Sequence, residues 1–194
     1  MPRAVRVGLS VGLRVVLVAL LLYGATHQSV PRYHGKAFPA RLVAYSLLTS
    51  IVPAIWLIRG RRETYPFAID QLVIVPFLFD AIGNTLNLYD RIWWWDKLEH
   101  GVNWAVLVGA VSLALAHTTL GRIERAALAI GFGAVAGIVW ELAEYVTFIR
   151  GNPSALAGAY TDTLGDLLCD LTGATVAAAA FVLLSRRASP ARAR

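Results

Sequence analysis

The sequence predicts an all-α fold, a polytopic membrane bundle of about six transmembrane helices with both termini cytoplasmic. Three observations predict it. Residues of the set AVILMFWYC make up 57% of the 194-residue chain, only 15% are charged, and the apolar residues gather into six runs long enough to cross a bilayer. At a mean hydropathy of +0.59, a water-soluble globule of this size could not cover itself with so few charges. Lipid must therefore be the solvent for most of the surface. The same composition excludes a disordered chain, a collagen-like fibre and a coiled coil.

The first run, 7–26, has Arg14 near its basic end and a leucine-rich middle. A basic start before leucines resembles a signal peptide, but Tyr23 spoils the small-x-small cleavage pattern ahead of Thr26, so the run reads as an uncleaved helix. The second, 42–58, holds no charge between Arg41 and Arg59, and the third, 68–89, is interrupted by Asp80. The fourth, fifth and sixth cover 98–120, 126–149 and 162–184, followed by a basic cytoplasmic tail at 185–194. The longest outer connections, 27–41 and 150–161, contain Pro and Gly without apolar periodicity and read as loops. The chain is thus expected to be a single integral membrane domain.

Charge sets the expected orientation. With the N-terminus inside, 12 of the 18 basic residues lie on the cytoplasmic side and 6 outside, and an excess of Lys and Arg marks the cytoplasmic face. This places the protein in a cell (inner or plasma) membrane, with membrane lipid as its surroundings. The net charge of +6 comes from short arginine clusters between apolar runs, which is the pattern of membrane loops and not of a nucleic-acid surface. Trp93, Trp94 and Trp95 fall at the outer interface, where indole rings settle. The lone Cys169 excludes an intrachain disulfide and a CxxC metal site.

The carboxylates carry the functional information. Of 12, only Glu63, Asp70 and Glu124 fall on the inner side. The others recur at helical spacing. Asp80, Asn84 and Asn87 stand at i, i+4 and i+7; so do Asp96, His100 and Asn103 if that helix begins near Trp95. Glu141 and Glu144 are at i, i+3, and Asp162, Asp166 and Asp170 at i, i+4, i+8. Residues three or four apart share a helix face, so four helices each present a polar stripe near their outer ends. Glu141 lies eight residues before the expected end of its run, about 12 Å below it at the helical rise. An ionised side chain at bilayer depth costs about 3 kcal/mol even on lenient scales, so these groups should turn inward and share protons, a cation or a wet cavity. Asn84, Asn87 and Asn103 also suit interhelical hydrogen bonding, while Asp90 and Glu99 read as shallow, solvated acids. Gly133-x-x-x-Gly137 and the row Gly165, Cys169, Gly173 suit close helix packing. Arg150 is placed to pair the acids or a phosphate.

Three blocks, Asp90-Arg-Ile-Trp-Trp-Trp-Asp-Lys-Leu-Glu-His100, Trp140-Glu-Leu-Ala-Glu144-Tyr145 and Tyr160-Thr-Asp-Thr-Leu-Gly-Asp-Leu-Leu-Cys-Asp-Leu-Thr-Gly-Ala174, resemble the YjdF-like bacterial inner-membrane proteins. The likeness extends more distantly to VanZ-like proteins, which share the Asp-Lys-x-x-His start and the closing Asp-x-x-x-Asp helix. It covers about residues 78–184. It implies a polytopic envelope protein with Asp96, His100, Glu141, Glu144, Asp162, Asp166 and Asp170 in the motif positions, and no particular reaction. The triple Trp departs from the pattern.

One His among several carboxylates suits Mn²⁺, Mg²⁺ or iron better than a structural zinc. Helical bundles that hold metals place carboxylates and His at i, i+3 or i+4 on facing helices. The leading expectation is therefore a metal-dependent enzyme acting on an envelope or lipid-linked small-molecule substrate. Asp96, His100, Glu144, Asp166 and Asp170 are the candidate metal ligands, Glu141 and Asp162 the candidate catalytic acids, and Asp80, Asn84, Asn103 and Arg150 the supporting polar groups. A proton- or cation-coupled carrier and a non-catalytic membrane scaffold subunit are the alternatives.

Overall fold

The computed structural model describes residues 1–61 and 64–187. Six helical spans are present: α1 (Arg3–Thr26), a broken span made of α2 (Phe38–Thr49) and α3 (Ile51–Ile58), α4 (Phe67–Thr85), α6 (Trp95–Leu115), α7 (Arg122–Glu144) and α8 (Pro153–Arg187). A short helix, α5 (Leu88–Arg91), lies between α4 and α6. The chain is a multi-pass membrane protein by the length and composition of these helices. Within the expected tail, residues 185–187 continue α8, while 188–194 lie outside the described residues.

Several boundaries differ from those expected, each for a local reason. The segment 150–161 is mostly helix, because Asn152 caps α8: its Oδ1 accepts from the backbone N–H of Ser154 at 3.2 Å and Ala155 at 3.4 Å. Pro153 occupies the first turn, where a missing N–H costs nothing. The third run ends at Thr85 and not at 89, since Asn87 adopts a left-handed φ of 59° and leaves the helix. Asn87 therefore drops out of the Asp80–Asn84 stripe. The fifth run ends in a π-helical turn, Tyr145–Ile149, in which the Arg150 N–H reaches the Tyr145 carbonyl at 3.0 Å. The second span breaks around Ser50. Pro53 has no N–H to give the Thr49 carbonyl, and the Arg14 guanidinium donates to that oxygen instead, at 2.7 Å.

Two cores hold the bundle. Leu17, Leu21, Tyr33, Phe38, Tyr45, Ile74 and Phe77 fill the space among α1, α2 and α4. Val108, Ala129, Ala174 and Ala178 fill that among α6, α7 and α8. The second core is thin because the helices almost touch. A Cβ added at Gly173 would overlap the Gly101 carbonyl of α6, and one at Gly137 would lie 2.8 Å from Asp170 Oδ2. α4 packs against α6 and joins the halves.

Of the tryptophan run, Trp93 is 89% exposed. Trp95, by contrast, turns inward and lies against Phe79, with ring centroids 5.1 Å apart. It opens α6 and belongs to the protein interior instead of the interfacial belt.

Candidate functional site

Among the described residues, three polar assemblies cross the bundle. At the arginine-rich end, Arg14 of α1 forks onto Asp70 of α4, with Nη2–Oδ1 at 2.5 Å and Nη1–Oδ2 at 3.0 Å, and Asp70 is fully buried. This pair is closed and neutral, and it ties α1, α2 and α4 together.

Toward the other end, Asp80 of α4 has every lone-pair direction filled. Arg41 Nη1 lies 2.6 Å from both carboxylate oxygens. The Tyr45 hydroxyl donates at 2.8 Å, Asn84 Nδ2 at 3.0 Å and the Tyr89 hydroxyl at 2.9 Å. Tyr89 also contacts Glu99 of α6, whose second oxygen accepts from Asn103 at 2.7 Å. Burial, and then the Asp80 and Glu99 carboxylates, hold the Tyr89 phenol well above its ordinary value, so it remains a donor. Glu99 is 5% exposed. The expectation of a shallow, solvated Glu99 is thus corrected: because α6 begins at Trp95, residue 99 faces Tyr89 across the interior. Asp90 is the solvated acid of the two, at 3.0 Å from Lys36.

The third assembly lies among α6, α7 and α8. The i, i+4 spacing of Asp96 and His100 on α6 and of Asp166 and Asp170 on α8 turns both pairs toward the same crossing, which the glycines draw tight. His100 Nδ1 is hydrogen-bonded to Asp170 Oδ1 at 2.8 Å. Its Nε2 faces Asp96 Oδ1 at 3.9 Å and Asp166 Oδ1 at 3.8 Å. Glu141 Oε1 of α7 is 3.9 Å from Nδ1, is buried, and has no hydrogen-bond partner. Glu144, one helical turn on, joins His100 and Glu141 in a second group of converging donor atoms. Lys97 reaches Asp162 Oδ1 at 2.5 Å and Asp166 Oδ1 at 2.7 Å, with Asp96 Oδ2 further off at 3.4 Å. A cleft of about 410 Å³ opens beside it, lined by Lys97, Glu144, Asp162 and the start of α8.

The donor set matches a hard divalent ion: two carboxylate oxygens and one imidazole nitrogen, all within 4.8 Å of one another. An octahedral ion with bonds of about 2.1 Å spaces neighbouring donors about 3 Å apart, so the group would need to contract by roughly 1 Å. His100 cannot serve both groups through one nitrogen. Its Nδ1 is committed to Asp170, which leaves Nε2 for Asp96 and Asp166. A carboxylate behind a histidine in this way fixes the ring tautomer and orientation.

The sequence-expected residues therefore fall into two places. Asp96, His100, Glu141, Glu144, Asp162, Asp166 and Asp170 come together, with Asp170 behind the imidazole. Asp80 and Asn84 belong to the Arg41 assembly, and Asn103 serves Glu99. Arg150 is exposed and makes no ion pair among the described residues. Arg41 and Lys97 are the site's two basic side chains, neither of them among the site residues expected from the sequence. Their spacing held a signal, since Arg41 stands at i−4 from Tyr45 and Lys97 adjoins Asp96 on the turn leading to His100.

Fold and site define a multi-pass membrane protein with a carboxylate cluster around one histidine. The chain belongs to the family described as Predicted membrane protein (DUF2238), whose family model matches residues 9–187; the YjdF-like resemblance is to this family. A Thermotoga maritima protein described as "Uncharacterized protein" is 32% identical over 101 residues, 50% of this chain and 52% of that protein. The chain spans about half the length of this curated relative. No solved structure matches.

Proposed function

We propose that the protein is a divalent-metal-dependent enzyme of the cell membrane, with both termini cytoplasmic, acting at the opposite face on a lipid-linked, phosphate-bearing envelope molecule. The observation that carries this reading is the two-sided environment of His100: Asp170 on Nδ1, and two convergent carboxylates facing Nε2. Asp96, His100 and Asp166 would hold Mn²⁺, Mg²⁺ or iron. When bound, such an ion supplies Lewis-acid polarisation of a phosphoryl or carbonyl oxygen.

The chain's own groups have separate roles in this reading. Asp170 keeps the His100 proton on Nδ1 and so leaves Nε2 as a donor atom. Glu141 Oε1, buried without a hydrogen-bond partner as Asp170 Oδ2 also is, has a free lone pair to accept a proton from an attacking water. Asp162, at the cleft, is placed to exchange protons with solvent. Lys97 neutralises Asp166 and Asp162 in the absence of the ion. The open cleft lies between the start of α8 and the end of α7, where a lipid-linked substrate would enter.

Metal analysis and titration of the purified full-length protein test this. A divalent ion bound at micromolar affinity is expected, lost in His100→Ala and in Asp166→Ala, and tightened in Lys97→Met because a competing ammonium has gone. Absence of binding overturns the reading. Glu141-dependent proton flux into vesicles without a metal would replace it with a carrier. Variants that lose only assembly would replace it with a scaffold.

A further inference from the structure

A second cleft lies at the arginine-rich end of the bundle, remote from the carboxylate cluster and independent of the reading above. Its volume is about 440 Å³, within the range of small-ligand sites. The first turns of α1 bring Arg3 and Arg6 to it, the end of α3 brings Trp56 and Arg61, and the approach to α4 brings Thr64 and Tyr65. Arg61 lies over the Trp56 ring, 5.4 Å from its centroid, and Trp56 and Tyr65 meet edge to face with centroids 5.2 Å apart. The guanidiniums of Arg3, Arg6 and Arg61 make no ion pair with a carboxylate among the described residues, and Asp70, the nearby buried acid, is taken by Arg14. Burial, and then its hydrogen bond to Asp70, push the Tyr65 hydroxyl up to about 12, so it stays un-ionised beside these charges and gives its hydrogen to Asp70.

Three arginines and a threonine lining one cleft supply a donor set for a tetrahedral oxyanion, because arginine forks match phosphate oxygens in pairs. The aromatic pair is the kind of group that anchors at a headgroup layer. On the same two helices, Val7, Val11, Ile55 and Ile58 are exposed toward the membrane, from 42% to 85%. A ligand with a phosphate at the cleft and acyl chains along these side chains satisfies both surfaces. We propose that this cleft binds the phosphate of an anionic phospholipid, with Arg3, Arg6 and Arg61 as its ligands. Basic pockets between membrane helices are the usual form of such sites.

The test uses the full-length protein in detergent, with phosphatidylglycerol, phosphatidylcholine and inorganic phosphate as separate probes and bound lipid counted by native mass spectrometry. Phosphatidylglycerol is expected to bind at least tenfold tighter than phosphatidylcholine. The triple variant Arg3→Ala/Arg6→Ala/Arg61→Ala should lose that preference while keeping the wild-type melting temperature, because all three side chains are at the surface. A triple variant that fails to fold is replaced by Arg61→Ala alone, for which a threefold or greater loss is expected. Equal binding of the two lipids, or an unchanged preference in the variants, overturns the proposal. Saturable binding of inorganic phosphate without any lipid preference would assign the cleft to a soluble anion and overturns the lipid assignment.

Discussion

Helices α1, α2 and α4 pack around leucines and aromatic rings, whereas α6, α7 and α8 meet across alanines and glycines. The two halves also treat buried charge differently. In the first, Asp70 and Asp80 each sit against an arginine, with hydroxyls and amides filling what remains. In the second, Asp96, Glu141, Glu144, Asp162, Asp166 and Asp170 gather around Lys97 and His100, with Arg41 of the first half also acting on Glu144, so that acids outnumber bases. The two differences are connected. Large side chains keep helices apart and leave room for a long Arg to reach across, while small ones bring backbones together so that short Asp side chains on opposite helices converge. A closed ion pair supports structure; an acid surplus at close range requires protons or a cation. The chemistry therefore lies in the half with the thinner core.

The sharpest way to break this comparison is to thicken that core. Gly173→Ala places a methyl group on the Gly101 carbonyl of α6. Backbone cannot give way as a flexible side chain can, so the expected cost is at or above the upper end of about 1–3 kcal/mol for overpacking, with loss of the folded bundle. Gly131→Ala is the control. Nothing lies within 4 Å of its added Cβ, and a helical Gly→Ala gains about 0.5–1 kcal/mol. Opposite signs for one chemical change, read as thermal unfolding in detergent, are the expected result. Equal effects would mean that α6 and α8 are not in backbone contact.

The next contrast concerns the acids. Asp80→Ala breaks the buried ion pair with Arg41, at an expected cost of about 3–5 kcal/mol. Asp162→Ala removes one acid from a surplus. Its side chain is 61% exposed and Lys97 keeps Asp166, so a change within about 0.5 kcal/mol is expected. Similar melting temperatures for the two variants would erase the distinction between neutralised and surplus carboxylates.

The division between halves was only partly legible in the sequence. Six apolar runs, the stripes on α6 and α8 and the glycine faces follow from local periodicity, and the helices and close packing agree with them. Arg41 and Lys97 carry no such decisive local signal of their role, because a residue at a helix end can face water or the interior, and only the packing partner decides. Asn152-Pro153 was a readable helix start, masked by the expectation that Pro and Gly mean loop. The inward turn of Trp95 depends on Phe79, sixteen residues away, and local pattern carries no record of it.

Between the halves stands Glu99, and the smallest expected effect tests what kind of carboxylate it is. Tyr89 has one hydroxyl hydrogen but faces two carboxylates, Asp80 and Glu99. Asp80 already accepts from Arg41, Tyr45 and Asn84. The contact with Glu99 therefore needs a hydrogen of its own, and the arrangement that satisfies every group has Glu99 donating to Tyr89 while Tyr89 donates to Asp80. In Glu99→Gln the amide nitrogen takes the place of that hydroxyl and the remaining oxygen still accepts from Asn103. Stability should then change by no more than about 1 kcal/mol, the scale of one exchanged neutral hydrogen bond. The infrared carbonyl band of the protonated Glu99 carboxyl should appear as a loss in the difference spectrum between the wild-type protein and Glu99→Gln. A loss as large as that of Asp80→Ala, with no such band, would make Glu99 an ionised acid and move it into the surplus of the second half.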